Sequence, residues 1–177
     1  QMWWRKDAPA GAADVNLWFR PMDLCGEDGD FYYEARREAW LDIHGAGIPF
    51  DGEGFLAAAR RNLLDDPGAV VCAMLGSEPA GVLQLDPRRD AGAGAGYIPF
   101  VYMSPARRKQ GLGVQLIGQA VSFYRPRGRT LLRLRCAPDN AVAQRFYKKY
   151  GFYKIGEEQG ARVPLDILEK YIGYDKT

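Results

Sequence analysis

Between Tyr97 and Cys136 the chain reads as an apolar run (Tyr97–Met103), a basic turn bearing glycines, an amphipathic helix and a second apolar run (Thr130–Cys136). Two strands joined through a helix need a crossover connection, so this segment imposes a parallel pair. Just upstream, Ala69–Leu75 and Ala80–Leu85 are apolar runs separated by Gly76-Ser77-Glu78-Pro79, which has the length and residue types of a hairpin loop. These two runs pair antiparallel. A sheet holding both arrangements is mixed, and the fold class follows: α+β (mixed α/β), with a central, mostly antiparallel sheet of six to seven strands flanked by helices.

The flanking elements fit that sheet. A first strand is predicted at Val15–Phe19, ended by Arg20 and Pro21. Phe31, Ala35, Ala39, Trp40 and Ile43 recur at helical spacing over Asp30–His44, with Asp28 or Asp30 as cap and Gly45 as stop. A second helix begins near Asp51 or Gly52, carries Phe55, Leu56, Ala59, Leu63 and Leu64 on one face, and stops at Asp66-Pro67-Gly68. After Gly113 a helix runs to about Tyr124. Asn140 caps another that ends at Gly151, and strands follow at Phe152–Ile155 and Ile167–Ile172. Pro99 sits awkwardly in the Tyr97–Met103 run, because proline cannot donate to a ladder and suits a strand's first residues or a bulge.

The chain has 177 residues, the size of one domain (1–177), with residues 1–14, which include Trp3 and Trp4, read as a flexible N-terminal segment. Its formal net charge of +2 is too small to argue for nucleic acid. No apolar run approaches the roughly 20 residues of a membrane span, and no signal-peptide pattern opens the sequence, so the expectation is a cytoplasmic protein without a membrane partner. Cys25, Cys72 and Cys136 are widely spaced and lack a C-x-x-C pairing, which points to reduced thiols rather than disulfides or zinc, and no metal is expected. The lone His44 has no partner set for nucleophilic catalysis.

Gly92, Gly94 and Gly96 precede a strand instead of leading from one into a helix, so they fail the dinucleotide-binding context; Gly111-Leu112-Gly113 lacks the Gly-Lys-Ser/Thr of a P-loop. Arg108-x-x-Gly111-x-Gly113 is different, because a strand precedes it and a helix follows. Unpaired backbone N–H groups at such a helix start, backed by the helix dipole, suit an anion, and Arg107, Arg108 and Lys109 add cationic donors for a phosphate. About thirty residues on, Asn140, Ala143, Phe146, Tyr147, Tyr150, Gly151 and Phe152 form a capped helix with adjacent aromatics and a glycine stop.

At this point the sequence resembles the GNAT superfamily of acyl-CoA-dependent N-acyltransferases. Met103-Ser104-Pro105 with Arg108, Gly111 and Gly113 matches the strand end and coenzyme A loop of that family. Asn140, Ala143, Phe146, Tyr147, Gly151 and Phe152 match its later helix. The resemblance implies acetyl-CoA as co-substrate. The strands Tyr97–Met103 and Thr130–Cys136 would splay apart, with pantetheine in the opening beside Val101, Tyr102 and Met103. The pyrophosphate would rest on backbone N–H groups from Arg108 through Lys109, Gln110, Gly111 and Leu112 to Gly113. Asn140, with Ala143 and Phe146 on the same helix, would hold the pantetheine arm, and Tyr147 would be the general acid for the leaving thiolate, a role that suits a phenol with a pKa near ~10.

Many relatives place a glutamate base on the central strand, but this strand has no carboxylate. Asp86 at the neighbouring strand end and a water relay to backbone carbonyls are the two alternatives, and an amine arriving neutral needs neither. Trp40 and Phe50 are expected to form an apolar acceptor wall, with Asp51 or Glu157 to hold an ammonium group. A small-molecule amine, including an amino acid or an aminoglycoside, a peptide or protein N-terminus and a lysine remain open as acceptor, and a homodimer is allowed. The competing functions are a catalytically silent CoA-binding regulatory module and, from Arg125, Arg127, Arg129, Arg133 and Arg135, a nucleic-acid binder; alternating arginines on a strand more often form its solvated face.

Overall fold

The computed structural model describes residues 16–174. In chain order the elements are β1 (Trp18–Pro21), α1 (Glu27–His44), α2 (Gly52–Asp65), β2 (Val70–Leu75), β3 (Glu78–Asp86), β4 (Ala95–Met103), α3 (Gly113–Tyr124), β5 (Leu131–Cys136), α4 (Ala141–Lys149), β6 (Tyr153–Glu158) and β7 (Leu165–Tyr171). The strands form one seven-stranded sheet in the order β1-β2-β3-β4-β5-β7-β6. Every pairing is antiparallel except β4 with β5, the pair joined through α3.

Strand periodicity separates two cores. Leu83, Leu85, Ile98, Leu132 and Leu134 point to the face covered by Leu116, Ile117, Ala120 and Phe123 of α3, where Ala143, Phe146 and Tyr147 of α4 also pack. Val70, Cys72, Met74, Val82 and Phe100 point the other way, onto Tyr32 and Ala35 of α1 and Leu56 and Ala59 of α2. Cys72 and Cys136 are buried free thiols and Cys25 an exposed one. Among the described residues no helix is long and apolar enough to cross a membrane.

Two local expectations change. The first strand is Trp18–Pro21, three residues later than predicted, and Val15 lies outside the described residues, as does segment 1–14. Helix α1 starts at Glu27 behind Gly26 without a side-chain cap. Asp28 does not cap because Arg20 holds both its oxygens at 2.8 Å.

The feature that positions the site is a fork. The parallel β4–β5 ladder covers only Ala95–Tyr97 against Leu131–Arg133. Continued, that register would set Pro99 opposite Arg135, and proline has no N–H to give. On its other side β4 advances three residues, Tyr97 to Phe100, while β3 advances two, Asp86 to Gln84, so β4 bulges at the point of departure. Tyr124 pins the apex: its buried hydroxyl donates to the carbonyls of Tyr97 (2.7 Å) and Asp86 (3.1 Å). Gly96 makes room for that ring, since a Cβ there would lie 2.3 Å from it.

Candidate active site

Beyond the fork, β4 ends at Met103 and the chain turns through a short 3₁₀ segment, Pro105–Arg107, into α3. The backbone N–H groups of Arg107 and Arg108 close back on Ser104 and Pro105. Those of Lys109, Gln110, Gly111 and Leu112 find no acceptor among the described residues, and the first amides of α3 add to them. Lys109 (φ 60°) and Gly111 (φ 73°) are left-handed, which folds the turn into a cradle of amides fit for a phosphate. Gly113 serves packing: a Cβ there would lie 3.0 Å from the Phe146 ring, so its absence brings α4 against the cradle.

The basic triplet divides its work. Arg107 pairs with Glu78 of the hairpin at 2.9 Å. Arg108 donates to the Met103 carbonyl (2.8 Å) and pairs with Glu38 of α1 (2.6 Å), so it ties the turn to α1 instead of pointing at an anion. Lys109 alone has no side-chain partner among the described residues. Gln110 donates to the Ala106 carbonyl.

Val101 and Met103 of β4 pack on the same core as Ala143, Phe146 and Tyr147 of α4, so the structure gathers most of the residues expected around pantetheine on one side of the fork. Asn140 caps α4 by accepting from the Ala143 amide at 3.2 Å. The Tyr147 ring is held edge-on between Phe146 and Phe152, each 5.3 Å away. Its hydroxyl has no hydrogen-bond partner among the described residues, yet it is not sealed from solvent. Burial first, and the neighbouring Cys136 thiol second, push its pKa up, so the phenol keeps its proton at neutral pH. Cys136 is itself pushed up to about 11 by burial. Tyr102 turns to the opposite face, where its hydroxyl donates to Glu38 at 2.6 Å.

Other expected residues are spent elsewhere. Asp86 lies beside Tyr97 at the closed end of the fork, and its Oδ1 accepts from the amides of Arg88 (3.0 Å) and Arg89 (3.2 Å). Asp51 caps α2 through the Gly54 amide. Glu157 is exposed and pairs with Lys154, while the next residue, Glu158, points to the opposite face of β6 and holds both Arg89 and Arg135 at 2.7 Å. Trp40 and Phe50 do form an aromatic wall with Phe55, with ring centroids 5.8–6.3 Å apart. The arginines considered for nucleic acid are all engaged, Arg125 on the Ile172 carbonyl, Arg127 on Asp66, Arg129 on Ala95 and Pro87, Arg133 on Glu169 and Arg135 on Glu158.

Two further residues of the site lie on α1. Glu38 gathers Tyr102 and Arg108. Arg36 lies over the fork's other face, its guanidinium 4.0 Å from the Phe100 ring centroid and 4.3 Å from that of Phe55. The available signal was a pair of polar residues set into apolar patterns: Arg36 one turn after Tyr32, and Gln84 inside the run Ala80–Leu85.

A mixed sheet forked beside an open cradle of amides offers room for an extended, phosphate-bearing ligand along a strand edge. The chain belongs to the acetyltransferase (GNAT) family, whose model matches residues 29–152. It is an acyltransferase, and acetyl-CoA is its co-substrate. No curated protein matches the chain. Its fold is similar to that of Ard1 from Thermoplasma volcanium (TM-score 0.70, 17% identity, 89% of this chain and 99% of that one). It is also similar to the PaiA N-acetyltransferase from Thermoplasma acidophilum in complex with coenzyme A (0.65, 22%, 88% and 99%). A third likeness is to YncA of Salmonella typhimurium, a putative acetyltransferase with its cofactor acetyl-CoA (0.65, 19%, 92% and 97%).

Proposed function

We propose that the chain transfers the acetyl group of acetyl-CoA directly to a primary amine of a small molecule, a peptide N-terminus or a lysine. The observation that carries this is the fork: β4 leaves β5 after Tyr97, and the open amide turn sits at the end of the strand edge so freed. Two solved structures of the same fold hold coenzyme A or acetyl-CoA, which supports the identity of the co-substrate. Acetyl-CoA supplies an acyl thioester.

The cradle from Lys109 to Gly113 takes the pyrophosphate, and Lys109 supplies its cation. Asn140 uses its oxygen on the helix cap and has its side-chain N–H groups left for a pantetheine carbonyl. Because the ladder to β5 ends at Tyr97, the edge of β4 beyond it is left for the ligand, and a backbone N–H of that edge polarises the acyl carbonyl. The amine nitrogen bonds to the acyl carbon, the carbon–sulfur bond breaks, and Tyr147 gives its proton to the departing thiolate. Asp86 sits at the closed end of the fork, so the proton lost from the amine passes to solvent through a water relay held by the carbonyls of β4.

A thiol-release screen with acetyl-CoA over a panel of amines tests the reading. Turnover with at least one amine is expected; coenzyme A binding without turnover on any would favour a silent binding module. With an active amine, Tyr147→Phe removes only the hydroxyl and lowers kcat by about 10²–10⁴-fold, the usual worth of a positioned general acid. Unchanged turnover removes Tyr147 from the mechanism.

A further inference from the structure

Arg36 departs from what a partly buried cation ordinarily does. Buried charges are paired with opposite charges, but Arg36 has no carboxylate partner among the described residues. Its Nε donates to the Tyr32 hydroxyl (3.0 Å) and its Nη2 to Gln84 Oε1 (2.9 Å), both neutral acceptors. Tyr32 in turn donates to Gln84 Oε1 at 2.5 Å, and Gln84 Nε2 donates to Asn62 Oδ1 at 2.8 Å, which fixes the orientation of the amide. Its Cζ also lies over the Phe55 and Phe100 rings, so two aromatic contacts add to the two hydrogen bonds in positioning the guanidinium. Three of its five N–H groups remain, including both on Nη1, which is not sealed from solvent.

The position of this unused donor face matters. Phe100 is the first β4 residue past the bulge and pairs with Gln84, so Arg36 sits over the place where β4 and β5 part, on the face opposite α3 and α4. Arg135 of β5 lies close enough for its charge to act on it. The aromatic wall of Trp40, Phe50 and Phe55 borders the same region.

We propose that the acceptor amine carries a carboxylate, and that Arg36 binds it through its free Nη1 edge at the fork, presenting the amine to the acyl carbon. The acceptor class is then amino acids and related amino carboxylates. This rests on the acetyl-transfer reading above. The neutral network of Tyr32, Gln84 and Asn62 holds Arg36 in place without neutralising it, which keeps a full positive charge for the ligand. A carboxylate completes the pair with two parallel N–H···O bonds, the geometry guanidinium favours. Amines without an acid group leave the charge unpaired.

The test compares acceptors matched except for the carboxylate, L-phenylalanine with phenethylamine and L-lysine with cadaverine, by thiol release at saturating acetyl-CoA. In parallel, calorimetry on the CoA-loaded protein compares N-acetyl-L-phenylalanine with N-phenethylacetamide, a readout that needs no turnover. The wild type is expected to favour the carboxylate member by about 10- to 150-fold, the range of one charge-assisted contact. In folded Arg36→Met that ratio collapses to a few-fold, and Arg36→Lys, which keeps the charge but loses the fork, restores part of it. Equal preference, or no binding of either member by the wild type, overturns the inference, as does a ratio undiminished in Arg36→Met. The calorimetric affinity for acetyl-CoA alone, measured first, tells failure of the acetyl-transfer reading apart from failure of this one.

Discussion

Tyr124→Phe removes a single oxygen from the apex of the fork. That hydroxyl is shared between the carbonyls of Tyr97 and Asp86, at 2.7 and 3.1 Å, and the Tyr124 side chain is fully buried, so no solvent replaces it. The ring itself stays, packed over Gly96 and edge-on to Phe123, so no cavity term enters. What remains is one lost buried hydrogen bond and acceptors left unsatisfied, about 1–3 kcal/mol. Unfolding entropy scales as roughly 2.1 cal/mol/K per residue, about 0.37 kcal/mol/K over 177 residues; the melting temperature should therefore fall by about 3–8 °C. Because these carbonyls fix where β4 departs from β5, the KM for acetyl-CoA should rise as well. Differential scanning calorimetry and thiol-release kinetics on the two proteins measure both effects. A variant that melts within 1 °C of wild type with an unchanged KM would refute the idea that Tyr124 holds the fork open.

Lys109→Ala should weaken coenzyme A binding several-fold at low salt, with the difference fading above ~0.5 M salt as screening removes an exposed charge. Equal affinities at low salt would show that the amides alone carry the phosphate. His44 packs at a tilt against Trp40 with ring centroids 4.1 Å apart, its Nδ1 is buried with no partner among the described residues, and burial, then Arg162, hold its pKa below the ordinary value of 6.5. The stability that follows is fully present above pH 6.5 and is lost as pH falls through the folded pKa, because the unfolded chain takes up the proton first. Urea denaturation from pH 7.5 down to 5 should therefore show wild type losing stability that His44→Phe keeps, and parallel curves would contradict the assignment.

The mixed sheet was legible because a helix-linked pair of apolar runs and a tight hairpin permit few arrangements. The cradle was legible in Gly111, whose positive φ glycine alone meets without strain, and in the position of the turn between a strand and a helix. Pro99 argued against a strand in the sequence. In the structure it marks the place where a strand stops pairing on one side, which is the reason the fork exists. The acceptor side was harder to read. Asp51 and Glu157 are acidic residues in the right loops, but one caps a helix and the other, by strand alternation, faces solvent while Glu158 faces the sheet. Arg108 looked like a phosphate ligand because sequence does not reveal that Glu38, seventy positions earlier, lies within 2.6 Å of it. Partners that arise from tertiary approach leave only faint traces, such as a polar residue on an apolar helix face.

The central claim is that the turn from Lys109 to Gly113 and the free edge of β4 hold coenzyme A. Titration calorimetry of coenzyme A with wild type and Gly111→Val addresses it most directly, since a β-branched side chain at φ 73° strains the turn by about 1–2 kcal/mol or more and so disturbs the amide cradle, while a Cβ there meets nothing within 4 Å and leaves both cores untouched. One site per chain in the wild type and an affinity at least 10-fold weaker in the variant are expected. Equal affinity in a folded Gly111→Val protein, or no binding by the wild type, would contradict the account.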